Sequence, residues 1–312
     1  MMELHVVLGT GPAGTTLART LTRDGHRVRT VSRGARAPLP DAEHRAADLT
    51  DPGSARKAIA GATVVYHAAN VPYEQQLDVM PRMQAAVLAA AAEQGARLVV
   101  LDTLYPYGPT GGEPMTEATP WRATAAKGRM RAELDAAYLA AHAGGRLGVV
   151  MGRAADFYGP EVVNSSLGGA VFAPLLSGAP AMALGDPGLP HSYSYIGDVA
   201  AGLALLGATP ETDGRVWHLP SAPAVPTTEV HAVLEELSGR PLDVDVLDAP
   251  RPWGPFDAAF MAEYEELFYQ YLEPQVMVSA AFEERFGVAP TPLRDGLRAT
   301  LDWYERHLAA AA

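Results

Sequence analysis

The sequence predicts an α/β protein built on a doubly wound parallel sheet with a smaller C-terminal portion. Three observations predict it. A short apolar run, a glycine-rich turn and a helix follow one another near the N-terminus. Short apolar runs then alternate with helical stretches to about residue 160, the pattern of parallel strands joined by helical crossovers. Beyond Pro160 the alternation loosens, and one further strand-like run, Val216-Trp217-His218-Leu219, is left to complete the sheet.

Leu4-His5-Val6-Val7-Leu8 has the length of a buried parallel strand. Gly9-Thr10-Gly11-Pro12-Ala13-Gly14 follows at once, and Thr15 to Arg23 carries helical spacing with Leu17 and Leu21 on one face. A strand, a tight turn and a helix N-terminus together make a phosphate cradle. Gly9 permits the turn, Gly11 lets the backbone approach a pyrophosphate, and Gly14 lets the helix pack on the strand. Flavin sites share such turns, so the motif alone does not name the cofactor. The end of the next strand, Arg27 to Val31, helps decide. An acidic residue there would hold a ribose 2′-hydroxyl. This chain has Ser32 and Arg33, with Arg36 behind, and a guanidinium suits a 2′-phosphate. The expected cofactor is NADP(H).

Gly34 to Arg45, with Pro38 and Pro40, reads as a loop. Ala47-Asp48-Leu49-Thr50 is a short polar turn of the kind that flanks an adenine, with Asp48 placed to bond its amino group. Ser54 to Ala60 reads as a helix and Ala62 to His67 as a strand. Ala68-Ala69-Asn70 follows, small enough for a cofactor to lie against the backbone. Asp78 to Gln94 is helical, and Arg97 to Leu101 is a strand running into Asp102-Thr103-Leu104-Tyr105-Pro106-Tyr107-Gly108. Thr124 to His142 is a long helix with Lys127 near its start, and Leu147 to Met151 is a strand. Farther on, helices are expected at 168–176, at 199–206 with Asp198 as its cap, at 227–237 and at 293–308, and strands at 191–196 and 242–247. Phe256 to Leu272 reads as one helix with Phe260, Tyr264, Leu267, Phe268 and Tyr271 on one face. Such a stripe suits a core or a lid over a substrate pocket.

Composition narrows the function. Of 312 residues, 48% are hydrophobic and 19% charged, which fits a globular protein and not a disordered one. A formal charge of -12 disfavours nucleic acid as a partner. There are no cysteines, so disulfides, thiolate chemistry and cysteine-held metals are excluded, and no metal site is expected. No apolar run has the length of a membrane span, and a cytoplasmic location is expected. Only Lys57 and Lys127 among the 24 basic residues are lysines. A compact ammonium in an arginine-using chain marks a place where a planar fork would not serve.

These residues together resemble the extended or atypical short-chain dehydrogenase/reductase superfamily, in its NAD-dependent epimerase/dehydratase branch. The resemblance rests on the glycine motif, Asp48-Leu49, His67-Ala68-Ala69, Thr103 ahead of Tyr107-Gly108, and Lys127 after Pro120. It continues through Arg153 to Pro160, which contains Phe157 and Tyr158, through Tyr195 to Ala200, and through Phe286 to Leu293. It implies a Rossmann domain over 1–160, completed by about 192–220, with 161–191 and 221–312 as a smaller substrate-binding or lid portion. It also implies that Phe157 and Tyr158 lie at the cofactor, that Thr103 bonds the substrate oxygen and that Lys127 binds the nicotinamide ribose. The family spaces its catalytic tyrosine four residues before this lysine, where Ala123 stands here. The proton must then come from another group or from water, and among the groups Tyr105, just past Thr103 at the end of the same strand, ranks ahead of Tyr107, Asp102, Tyr158 and His191.

Three readings stay open at this point. One is an NADP-dependent reductase of a small carbonyl or imine. Another is an epimerase, dehydratase or isomerase using a bound nicotinamide. The third is a non-enzymatic NADP-binding sensor. A small-molecule partner is expected in every case. A homodimer through the helices at 78–94 and 124–142, with Ala85, Ala86, Ala89 and Ala90 at the contact, is a further expectation.

Overall fold

The computed structural model describes residues 3–40 and 42–311. Met1, Met2, Asp41 and Ala312, which the domain ranges and the 34–45 loop include, lie outside the described residues. In chain order the first elements are β1 (Leu4–Leu8), α1 (Pro12–Arg23), β2 (Arg27–Ser32), β3 (Glu43–Ala46), α2 (Pro52–Ile59) and β4 (Val64–His67). Then come α3 (Gln76–Gln94), β5 (Arg97–Asp102), α4 (Ala126–Ala143), β6 (Val149–Arg153), β7 (Asp156–Tyr158), α5 (Gly169–Ser177), β8 (Ala181–Leu184), β9 (Pro190–His191) and β10 (Tyr193–Tyr195). The last are α6 (Ile196–Ala208), β11 (Val216–His218), β12 (Val225–Pro226), α7 (Thr227–Ser238), β13 (Val244–Leu247), α8 (Ala258–Tyr264), α9 (Ala280–Phe286) and α10 (Leu293–Ala311). The chain forms two compact units. One holds residues 1–106, 126–153 and 199–219, the other 107–125, 154–198 and 220–312.

The first unit is a seven-stranded sheet in the order β11-β6-β5-β4-β1-β2-β3, with every pairing parallel. β1 is buried along its whole length, as an apolar strand covered on both faces must be. The strand order reverses beside it, because the chain runs out through β2 and β3 and returns to β4 on the other side. Ligands of open α/β sheets bind at that switch point, at the carboxyl ends of the strands. The register brings those ends into one edge: Leu8 lies opposite Val31 and His67, His67 opposite Val100, and Leu101 opposite Gly152.

The sequence reads 34–45 as a loop, yet Glu43, His44 and Arg45 belong to β3. This edge strand has no apolar run because charge holds it. Buried Arg29 on β2 donates its Nε to Glu43 Oε1 at 2.8 Å and an Nη to the Ala58 and Ala60 carbonyls at 3.0 and 2.7 Å. Beneath the sheet Leu8, Val65, Leu98 and Met151 pack with Ile59, Val87 and Leu134. Of the four alanines expected at a dimer contact, Ala86 and Ala90 turn into this core and Ala85 and Ala89 are exposed.

The second unit carries three two-stranded pairs, β7 with β10, β9 with β12, and β8 with β13. Its core joins Tyr158, Phe172, Leu234, Leu297 and Tyr304, the Phe172 and Tyr304 rings stacked at 5.0 Å. Two expectations need correction here. The single helix over 256–272 is a short α-helix, α8, followed by a 3-10 helix over Glu265–Tyr271, so its side chains change period along its length. Asp198 is not a cap: α6 follows directly on β10 and begins at Ile196. The Asp198 carboxylate accepts from the Thr291 amide and hydroxyl, each at 2.7 Å.

Candidate active site

The glycine turn between β1 and α1 separates two reasons for having glycine. Gly9 has φ +100°, and a Cβ there would lie 2.7 Å from the Ala68 carbonyl and from Ala69 Cα. A Cβ on Gly14 would collide with the Gly9 carbonyl oxygen. The fold itself therefore requires both. Gly11 differs. A Cβ on it would meet nothing within 4 Å, so no protein atom requires glycine there. Gly11 is the N-cap of α1, with no side-chain cap and no acidic residue in the first turn, and Pro12 opens the helix. The amides of Ala13 and Gly14 have no partner within the helix. Thr15 Oγ donates to the Thr10 carbonyl at 3.1 Å and fixes the turn. Open space over unpaired amides at a positive helix end fits a pyrophosphate.

At the end of β2 the Ser32 hydroxyl and His44 Nε2 both reach the Gly34 carbonyl, at 3.2 and 2.8 Å, and shape the loop that carries exposed Arg33 and Arg36. Asp48 Oδ1 accepts from the Thr50 amide at 2.9 Å and the Thr50 hydroxyl at 2.7 Å. Those bonds, helped by the charges of Arg33 and Arg82, hold the carboxyl below the usual range. One Asp48 oxygen is thus used inside its own turn. The Leu49 side chain is in the core, so Leu49 offers a ligand only backbone. Ala68 and Ala69 are half-buried against the Gly9 turn. Asn70 Oδ1 accepts from Arg131 on α4 at 3.1 Å and from Gln76 at 3.4 Å.

Lys127, the second residue of α4, is 3% exposed, and its Nζ lies 5.8 Å from the centre of the Tyr73 ring. The Tyr73 hydroxyl is 3.2 Å from that of Tyr105. Thr103 Oγ, at the end of β5, accepts from the Tyr105 amide at 3.4 Å. The sequence-selected Thr103, Tyr105 and Lys127 are thus linked through Tyr73, which the sequence reading misses. Tyr73 belongs to no motif. Its only signal is that the loop after β4 must end at the same sheet edge as the loop after β5.

The other candidate proton donors are placed otherwise. Asp102 is 2% exposed and accepts from Arg153 Nε at 2.5 Å, while Arg153 also donates to Asp135 at 2.5 Å. Burial, and then the neighbouring Asp102 charge, push the Asp135 carboxyl well up. Asp102 is thus part of a buried charge triad. Tyr107 and Tyr158 are 1% and 0% exposed. Tyr158, expected at the cofactor, has its side chain in the second unit's core instead, and burial raises its hydroxyl. Aromatic character at that position answers to packing. Phe157 beside it is half-buried, and its carbonyl takes the Ser165 hydroxyl. His191 bonds to Asp156 at 3.2 Å. Among the described residues no His, Asp and Glu group is arranged to hold a metal, and no helix is long and apolar enough to cross a membrane.

The profile of the NAD dependent epimerase/dehydratase family matches residues 6–219. The chain belongs to that family. Within the curated proteins it is 28% identical over 274 residues to a 2'-dehydrokanamycin reductase of Streptomyces kanamyceticus, covering 84% of this chain and 74% of that protein. Epimerase/dehydratase folds are also its structural neighbours. A UDP-glucose 4-epimerase of Thermus thermophilus in complex with NAD matches with TM-score 0.78, 22% identity and coverage of 97% and 99% of the two chains. A dTDP-glucose 4,6-dehydratase of Streptomyces venezuelae with NAD bound gives TM-score 0.81, 21% identity and coverage of 99% and 98%.

Proposed function

We propose that this family member is an NADP(H)-dependent reductase of a small organic carbonyl or imine. The observation that carries the reading is the Thr103–Tyr105–Tyr73–Lys127 group at the same sheet edge as a glycine turn left open at Gly11. The reductase of S. kanamyceticus supports reduction over epimerisation, and the absence of an acidic residue at the Ser32-Arg33 position supports NADP(H) over NAD.

Ala13 and Gly14 amides hold the pyrophosphate, Arg33 the 2′-phosphate, and Lys127 the nicotinamide ribose hydroxyls. Asp48 and Leu49 flank the adenine, and Ala68, Ala69 and Asn70 line the cofactor's path along the turn. A bound nicotinamide supplies a hydride. Thr103 donates a hydrogen bond to the substrate oxygen or nitrogen, which polarises the double bond. Tyr105 gives the proton, and the Tyr73 hydroxyl and the Lys127 ammonium stabilise the negative charge left on its oxygen. This arrangement replaces the tyrosine that Ala123 removes.

The test is transfer of deuterium from C4-deuterated NADPH to a panel of ketones and imines, read by mass spectrometry. Reduction places deuterium on the former carbonyl carbon. Isomerised substrate with unchanged cofactor would favour an epimerase. Tight NADPH binding with no transfer across the panel would favour a sensor.

A further inference from the structure

The two compact units differ in charge. The unit holding the glycine turn has 17 Lys and Arg against 14 Asp and Glu, a formal charge of +3, whereas the other has 7 against 22, a formal charge of -15. A surface so anionic repels phosphates and attracts cations.

One carboxylate in the anionic unit is built unlike a solvated surface acid. Asp156 Oδ2 on β7 receives three hydrogen bonds, from Ser166 Oγ at 2.7 Å, Tyr271 OH at 2.9 Å and His191 Nε2 at 3.2 Å. Oδ1 takes none of these, and 21% of the side chain remains exposed. Burial alone would raise this carboxyl; the bond from His191 and its charge, with the bonds from Ser166 and Tyr271, outweigh it and hold the group below the usual range. Burial and the Asp156 charge push the Tyr271 hydroxyl far up, so it stays a donor. Among the described residues no lysine or arginine pairs with Asp156. A fixed anion with one oxygen outside these bonds, and only His191 beside it as a possible cation, is ready for a cation from outside.

Its surroundings specify which cation. The His191 ring stacks on Tyr271 at 5.2 Å with an interplanar angle of 4°. Tyr271 continues to Tyr264 at 6.4 Å, Tyr264 to Phe260 at 5.7 Å, and Phe260 to Phe256 at 5.0 Å. Phe256, Phe260 and Tyr264 keep part of their surface open. Across the backbone from His191, Gln275 is 2% exposed, and its side-chain oxygen has no hydrogen-bond partner. Carboxylate, aromatic faces and a buried unused acceptor are the elements that hold an ammonium group: charge, ring quadrupole and acceptors for its N–H bonds. A metal ion would seek further carboxylates or imidazoles, and no such group is assembled among the described residues.

We propose that Asp156, with the Tyr271–Tyr264–Phe260 ribbon beside it, forms a site for a protonated amino group within the second unit, so that this unit binds amine-bearing compounds and not nucleotide diphosphate sugars. The inference goes beyond the reductase reading, and the site is tested by binding alone.

The test is calorimetry on the NADPH-loaded protein with three probes: kanamycin, a polyamine; fully N-acetylated kanamycin, which lacks the cations; and UDP-glucose, an anion. Kanamycin binds, acetylation weakens binding at least tenfold, and UDP-glucose does not bind. Asp156→Asn weakens kanamycin binding about ten- to a hundredfold, the size of a charge-assisted contact, and Asp156→Glu restores part of it. Neither variant alters NADPH affinity. The acetylation comparison uses the unaltered chain, so it decides even if Asp156→Asn fails to fold. UDP-glucose binding as tightly as kanamycin, kanamycin affinity unchanged by acetylation or by Asp156→Asn, or no kanamycin binding at all would each overturn the subsite. Failure to bind NADPH would overturn the reductase reading instead, and the same titrations on the unloaded protein would still decide the subsite.

Discussion

Substituting alanine at two glycines of one turn separates folding from cofactor binding. At Gly11 the added Cβ meets no protein atom within 4 Å, and φ is -71°, a value alanine adopts freely. Gly11→Ala changes the chain's own stability by at most about 0.5–1 kcal/mol, the loss of an N-cap glycine being offset by a stiffer unfolded chain. The same methyl projects into the open space at the turn, where a pyrophosphate held by the Ala13 and Gly14 amides would approach. Displacing a pyrophosphate from them removes one or two charge-assisted hydrogen bonds, about 1.5–3 kcal/mol each, so NADPH affinity falls at least tenfold. Gly14→Ala drives its methyl into the Gly9 carbonyl. That contact involves backbone on both sides and cannot relax by rotating a side chain, so stability and affinity fall together. Overpacking of this kind costs about 1–3 kcal/mol. Thermal unfolding of the unloaded proteins and calorimetric titration with NADPH give the two quantities. A Gly11→Ala protein that binds NADPH like the wild type, or unfolds as readily as Gly14→Ala, would refute the division of roles.

Arg33→Ala lowers NADPH affinity roughly ten- to a hundredfold and leaves NADH affinity unchanged; equal affinities of the wild type for both cofactors would remove the argument for NADP(H). Tyr105→Phe lowers kcat on an identified substrate by about 10²–10⁴-fold with NADPH affinity intact, and Tyr73→Phe lowers it less, whereas Lys127→Ala weakens cofactor binding and turnover together. Steady-state rates with cofactor titrations separate the three, and an unchanged kcat in Tyr105→Phe would exclude that hydroxyl as the acid. Burial, with Arg131 nearby, holds His67 near 4, against about 6.5 in the unfolded chain. Below pH 6.5 the unfolded state takes a proton that the folded state refuses until about pH 4, so stability is lost across that window as pH falls, by up to roughly 3 kcal/mol. Urea unfolding at pH 7 and pH 4.5 measures this, and His67→Gln flattens the slope.

Much of the fold was legible because the sheet strands are apolar and the crossovers periodic. The glycine turn could be read down to separate reasons for Gly9 and Gly14, since both act through local backbone contact. What escaped was set by long-range pairing. The strand at Glu43–Ala46 is held by Arg29 from the neighbouring strand and has no apolar signature of its own. The Phe256–Leu272 stretch keeps its aromatic stripe, but the change from α to 3-10 geometry, which sets the stacking onto Tyr271, has no mark in the sequence. The candidate site divided in the same way. Thr103 and Lys127 follow from the family resemblance and Tyr105 from its place just past Thr103 at a strand end, whereas Tyr73 joins them only because two loops meet at one edge. The hydrogen bonds that select Asp156 come from residues 10, 35 and 115 positions away, beyond the reach of any motif.

A crystal structure with NADPH bound tests whether an NADP(H) site is assembled along one sheet edge from the Gly11 turn to Lys127. The expected result has the pyrophosphate on the Ala13 and Gly14 amides, the 2′-phosphate against Arg33, the nicotinamide ribose on Lys127, and the Tyr105 hydroxyl on the nicotinamide side of Thr103. A 2′-phosphate turned away from Arg33 into solvent, or a nicotinamide ribose without Lys127, would contradict it.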